Sequence, residues 1–197
     1  MPHNIIYNIL TYASIVVWVF PAIKQYKTKY FFLFFIFAAT DIFVISAVFL
    51  FNARPSLLYF LFFSVLVISF LNTNKVKKHT VAFFFIIILL ITTATYLNIR
   101  SFDGVILLLP LTGILYFLTN DFLLHIISYN KINIPLLILV LYQVLGILKL
   151  LNILLGLYES EFYFYTASAF QILIGLFFSF FSVEDNRLNI NVHIKNK

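Results

Sequence analysis

Lys149 stands inside an apolar run, Ile147-Leu148-Lys149-Leu150-Leu151, whereas the other twelve of the thirteen Lys and Arg residues lie between such runs. A charge at the centre of a bilayer costs about 2.5–3.5 kcal/mol on insertion scales, so an ammonium kept there needs a partner or a use. Asp41 is its acidic counterpart. It falls eleven residues in from Tyr30, about 16 Å deep at ~1.5 Å of rise per residue, near the midplane. Lys149 comes out roughly 7 Å to the outer side of that level, a gap a lysine side chain can span. Gln143 and Gln171 can add hydrogen bonds at similar depth. Together the four predict a pair or a shared water cluster that binds, senses or passes a small solute or ion, with Asp41 as the cation- or proton-responsive acid and Lys149 as anchor for an anionic group. The structural alternatives are a Lys149 that snorkels outward toward Glu159 or Glu161 and an Asp41 that is protonated and hydrogen-bonded to helix backbone.

Asp121 and His125 form a second constellation, one helical turn apart at i and i+4. Such a pair suits a proton relay or gate, and equally an interfacial hydrogen bond. The four histidines, His3, His79, His125 and His193, are scattered without ligand spacing and the chain has no Cys, so neither a metal site nor a thiol nucleophile is expected. Gly-x-Ser-x-Gly, His-Glu-x-x-His and phosphate-loop patterns are absent from the sequence, and Ser179 and Ser182 lie in apolar context with no His to act as base. The reading is non-catalytic, with no cofactor.

These residues must be positioned by an all-α membrane domain. Of 197 residues, 63% are hydrophobic and 10% charged, with a mean hydropathy of +1.05; a soluble globule would carry nearer ~45–50% apolar residues. Only helices and closed barrels satisfy their own backbone in lipid, and the apolar runs here have helix length without strand alternation. Seven spans are expected, near Ile5–Ile23, Tyr30–Phe51, Ser56–Leu71, Val81–Leu97, Val105–Ile127, Ile134–Leu155 and Phe162–Phe181, each approaching the ~20 residues a crossing requires. Asn-, Pro- and charge-rich breaks separate them, as in Asn52-Ala53-Arg54-Pro55 and Asn130-Lys131. Alternate loops carry ten and two basic residues, Lys24, Lys27, Lys29, Lys75, Lys77, Lys78, Lys131, Arg187, Lys195 and Lys197 against Arg54 and Arg100. That asymmetry places the N-terminus outside and the C-terminus in the cytoplasm, in a cytoplasmic membrane. Met1-Pro2-His3-Asn4 has no basic leader region, so the first span is expected to be retained. The net charge of +6 is mostly cytoplasmic loop charge facing anionic lipid, and nucleic acid need not be invoked.

Within residues 1–182, read as one domain, small and polar residues mark interior faces. They run Tyr142, Gly146, Lys149, Ile153 and Gly156 in the sixth span, Ser168, Gln171, Gly175, Ser179 and Ser182 in the seventh, and Thr11, Ser14, Trp18 and Pro21 in the first. Trp18, Tyr26 and Tyr30 are expected at the inner headgroup level, and Tyr158, Tyr163 and Tyr165 at the outer one. The twenty-six Phe residues read as lipid-facing filler. Val81–Leu97 has no polar face and would link two three-helix halves, a 3+1+3 plan. Lys29 precedes Asp41 by the interval at which Lys131 precedes Gln143, and Leu10-Thr11 recurs as Leu111-Thr112. The plan resembles the PQ-loop family in topology only: Pro21 is followed by Ala22 rather than Gln, and Thr119-Asn120-Asp121 has no proline. A retinal protein does not fit, because Lys149 is in the sixth span rather than the seventh. The tail, residues 183–197, alternates from Leu188 to Ile194 like a strand with no sheet of its own. It suits edge addition to a partner, and so a second reading of the chain as an accessory or assembly subunit of a larger membrane complex, or as a homo-oligomer.

Overall fold

In a computed structural model, residues 5–52, 54–70, 100–155 and 161–191 are described. They form six helices, α1 (Ile5–Lys24), α2 (Phe31–Phe51), α3 (Pro55–Phe70), α4 (Arg100–Tyr129), α5 (Ile134–Leu154) and α6 (Glu161–Phe180). These match six of the seven expected spans to within a few residues; the remaining one, Val81–Leu97, lies outside the described residues. Phe31–Phe51, Val105–Tyr129 and Ile134–Asn152 are each long and apolar enough to cross a membrane. Large apolar side chains such as Ile9, Phe20, Phe43, Phe49, Tyr116, Leu141 and Leu173 point outward, which in water would be costly and in lipid is not. The chain is a helical membrane protein whose outer surface suits the bilayer.

The asparagines at the breaks act as helix stops. Asn52 (φ 50°) and Asn130 (φ 51°) adopt the left-handed conformation that asparagine tolerates better than most residues. Their backbone N–H groups donate to Val48 O (3.0 Å) and Ile126 O (2.9 Å). Asn133 starts α5, its Oδ1 accepting from Leu136 N–H at 2.8 Å, a standard N-cap.

The helices close a ring in which α1 packs on α2, α2 on α3, α3 on α4, α4 on α5, α5 on α6 and α6 back on α1. Two of these pairs are parallel. Val67 faces Gly113 and Phe70 stacks on Phe117 at 5.8 Å, so α3 and α4 run the same way. Val17 faces Gly175 while Gln25, just past α1, reaches Phe181 O, just past α6. Both close approaches use glycine, as expected where packing rather than hydrophobicity holds helices together.

The core is aromatic and aliphatic: Trp18, Leu33, Phe34, Leu66, Ile114, Leu118, Leu139 and Phe178 are almost wholly buried. Two expectations are corrected here. Trp18, expected both on an interior face and at the headgroup level, is an interior residue: only 2% exposed, it packs against Phe34, Phe37 and Tyr142 with centroids 6.1, 5.4 and 4.9 Å away. Phenylalanine is not only lipid-facing filler, since Phe34 and Phe178 meet at 4.9 Å in the centre. Composition counts rings without saying which way each helix turns. The tail strand also finds a sheet. Asn189–Asn191 pairs antiparallel with Lys131–Asn133, Ile132 opposite Ile190.

Candidate functional site

A cavity of about 620 Å³ lies among α1, α2, α3, α4, α5 and α6. All four residues singled out for the site, Asp41, Gln143, Lys149 and Gln171, line it. Asp41 is ten residues into α2, and Lys149 five residues from the end of α5, so the acid is near mid-bundle and the ammonium nearer the far end. Asp41 Oδ1 accepts a hydrogen bond from the Tyr59 hydroxyl at 2.8 Å. Gln171 and Tyr142 face the same space. Gln143 is 3% exposed and its Nε2 donates to Leu111 O at 3.1 Å, so its amide nitrogen is committed to joining α5 to α4.

Gly146 shares the cavity face with Lys149, and a Cβ there would meet nothing within 4 Å; this glycine leaves room rather than allowing contact. Ser14 and Ser168 line the same space and are buried. Thr11, Ile153 and Gly156 of the expected stripes lie among residues whose side chains are outside the description. The wall below Asp41 is a continuous aromatic surface, Tyr59 to Phe63 (6.0 Å), Phe63 to Phe37 (6.1 Å) and Phe37 to Tyr142 (5.7 Å).

Tyr59 was not evident from the sequence as a site residue, because a lone tyrosine in an apolar helix has no periodic signature; only the turn at Asn52 brings it to Asp41.

A clasp closes the end of the bundle where α1, α4 and α6 finish. Gln25, fully buried, donates from Nε2 to Phe181 O (2.9 Å) and accepts at Oε1 from Ser182 Oγ–H (3.1 Å) and Val183 N–H (3.2 Å). Asn133 Nδ2 donates to Val183 O (2.9 Å), and Lys29 N–H to Glu184 Oε1 (3.0 Å). Lys29 Nζ pairs with Asp121 Oδ2 at 2.7 Å, and the Tyr30 hydroxyl donates to the same oxygen at 3.2 Å. Burial first, then the charge and hydrogen bond of Asp121, push the phenol of Tyr30, in the turn before α2, above its ordinary range, so it remains a donor. The hydrogen bonds of Asp121 thus run to the α1–α2 turn. His125 packs its ring on Tyr129 at 4.8 Å, and its Nε2 is buried with no hydrogen-bond partner. Asp121 and His125 nevertheless line one smaller cavity, about 400 Å³, with Lys29, Tyr30 and Glu184.

Between cavity and clasp sits the buried layer of Trp18, Phe34, Leu139 and Phe178. Trp18 precedes the end of α1 by six residues, about 9 Å of helix, so the cavity occupies the half of the bundle away from the clasp. Comparison with family models, curated proteins and solved structures finds no match.

Proposed function

We propose that the chain is a non-catalytic, seven-helix protein of the cytoplasmic membrane, N-terminus outside, that binds a small solute or ion in the cavity around Asp41 and Lys149 in order to transport or sense it. The observation that carries this reading is the cavity itself: an acid and an amine from different helices share one roomy space instead of being packed into a dry core. The clasp and the aromatic layer beneath the cavity are where a gate would lie, with Asp121 and His125 beside it.

The seven-span count has support in connectivity. Because α3 and α4 are parallel, Phe70 and Arg100 stand at opposite ends of the bundle, as the expected span Val81–Leu97 would require. The first three described helices and the last three run in matching directions, which suits a 3+1+3 plan. With basic loops at the clasp end, that end is cytoplasmic. The reading as an assembly subunit loses one argument, since the tail strand pairs within the chain.

The test uses the absence of cysteine. Gly146→Cys adds a side chain where there is room, and Leu139→Cys puts one in the fully buried layer. In membranes, a small water-soluble thiol reagent is expected to modify position 146 at least about tenfold faster than position 139. Equal, slow reaction at both would mean a dry centre and would end the binding reading.

A further inference from the structure

The chemistry of the cavity wall specifies more than "a small solute". Asp41 presents a carboxylate beside a phenol that donates to it, at one edge of a surface of aromatic rings. A carboxylate combined with ring faces recognises an ammonium group, through charge and through the ring quadrupole. Lys149, on the opposing α5 and nearer the far end, presents the complementary charge to an anion. The rest of the lining combines apolar side chains, Ile15, Ile45, Leu107, Leu145 and Leu150 among them, with the hydroxyls of Ser14, Thr40, Thr166 and Ser168 and the amides of Gln143 and Gln171.

The lining thus presents one acid and one amine, placed toward different ends of the space. A ligand carrying a single charge would engage only one of them, a cation at Asp41 or an anion at Lys149. An uncharged ligand would use neither group. A molecule with both charges engages both at once.

Resting on the binding reading above, we propose that the cavity takes a small zwitterion with an apolar body, its ammonium against Asp41 and Tyr59 and its anionic group against Lys149. An apolar α-amino acid from solution and a phosphoethanolamine headgroup from the bilayer carry this same pair of charges, and the experiment separates them.

The full chain is reconstituted in nanodiscs of phosphatidylglycerol alone, and its thermal unfolding is followed with leucine, methionine and phenylalanine. Parallel samples contain leucine methyl ester, which keeps only the cation, N-acetyl-leucine, which keeps only the anion, or N-acetyl-leucinamide, which is neutral. A last set has phosphatidylethanolamine mixed into the disc. A zwitterion is expected to stabilise the protein at concentrations at least about tenfold lower than its singly charged or neutral derivatives. Stabilisation by an amino acid assigns the source to solution; stabilisation by phosphatidylethanolamine alone assigns it to the bilayer. Asp41→Asn should remove the advantage of the ammonium and Lys149→Gln that of the carboxylate. The selectivity ratio of the unaltered protein decides the matter if either variant misfolds. Equal or tighter binding of a singly charged or neutral derivative overturns the zwitterion while leaving the binding reading intact. No response to any zwitterion in either lipid, with Gly146→Cys still reactive, likewise overturns the zwitterion alone; an unreactive Gly146→Cys overturns both.

Discussion

Gly175 fixes the approach of α1 to α6. A Cβ at this position would lie 2.7 Å from Val17 Cγ1 and 3.5 Å from Trp18 Nε1. Valine is short and stiff at χ1, so it cannot swing aside, and the indole behind it is held by three other rings. Gly175→Ala is therefore expected to destabilise the protein by about 1–3 kcal/mol, the range for overpacking a close contact. Thermal unfolding in detergent measures it, and Val17→Ala in the same chain should recover most of the loss. A neutral Gly175→Ala would mean that α1 and α6 are further apart than described. Gly146, one helix away, makes the contrast: with open space around it, Gly146→Ala should be near neutral for stability. Spacing alone put both glycines on interior faces. It could not say which one touches a neighbour, because that depends on the rotation of the facing helix.

At the level of elements, the clasp ties the α1–α2 turn to α4, to the start of α5 and to the segment after α6. Its groups are not equivalent. Lys29 is 59% exposed and Asp121 17%, and an ion pair with one partner in solvent contributes about 0–1 kcal/mol. The Tyr30 hydroxyl, by contrast, is buried with Asp121 as its acceptor. Lys29→Met should thus leave stability nearly unchanged. Asp121→Ala, which strips the acceptor from Tyr30 as well, should cost about 1–3 kcal/mol. If Lys29→Met proved the more damaging, the ion pair and not the buried phenol would be holding α4 to the turn. Asp121 was singled out beforehand, but its partners were not legible. The partners of the clasp are separated by 92 residues for Lys29 and Asp121 and by 158 for Gln25 and Val183; periodicity within one span says nothing about such pairings. The helices themselves were legible, since each run of apolar residues ends at an Asn, Pro or charge that cannot continue in lipid. Asp41, Lys149 and Gln171 were legible for a related reason: a polar group in such a run is turned toward other protein.

For the whole molecule, the directions of the described helices bear on the proposed topology. Helices α1, α3, α4 and α6 all run toward the clasp, and α2 and α5 run away from it. Phe70 and Arg100, at the end of α3 and the start of α4, therefore stand at opposite ends of the bundle. The proposed topology adds the positive-charge bias, with Lys75, Lys77 and Lys78 after α3 in the sequence and Arg100 at the start of α4. Labelling of single cysteines in this cysteine-free chain tests the proposed sidedness. Tyr26→Cys and Ile190→Cys alter exposed residues at the clasp end; Phe51→Cys and Leu155→Cys alter exposed residues at the other. A membrane-impermeant maleimide applied to intact cells should label the second pair, and the first pair only after lysis. Lys75→Cys should behave like the first pair and Arg100→Cys like the second. If Lys75→Cys and Arg100→Cys were labelled from the same side, the number of crossings between them would be even, and the seven-span reading, with the matching directions of its two halves, would have to be abandoned.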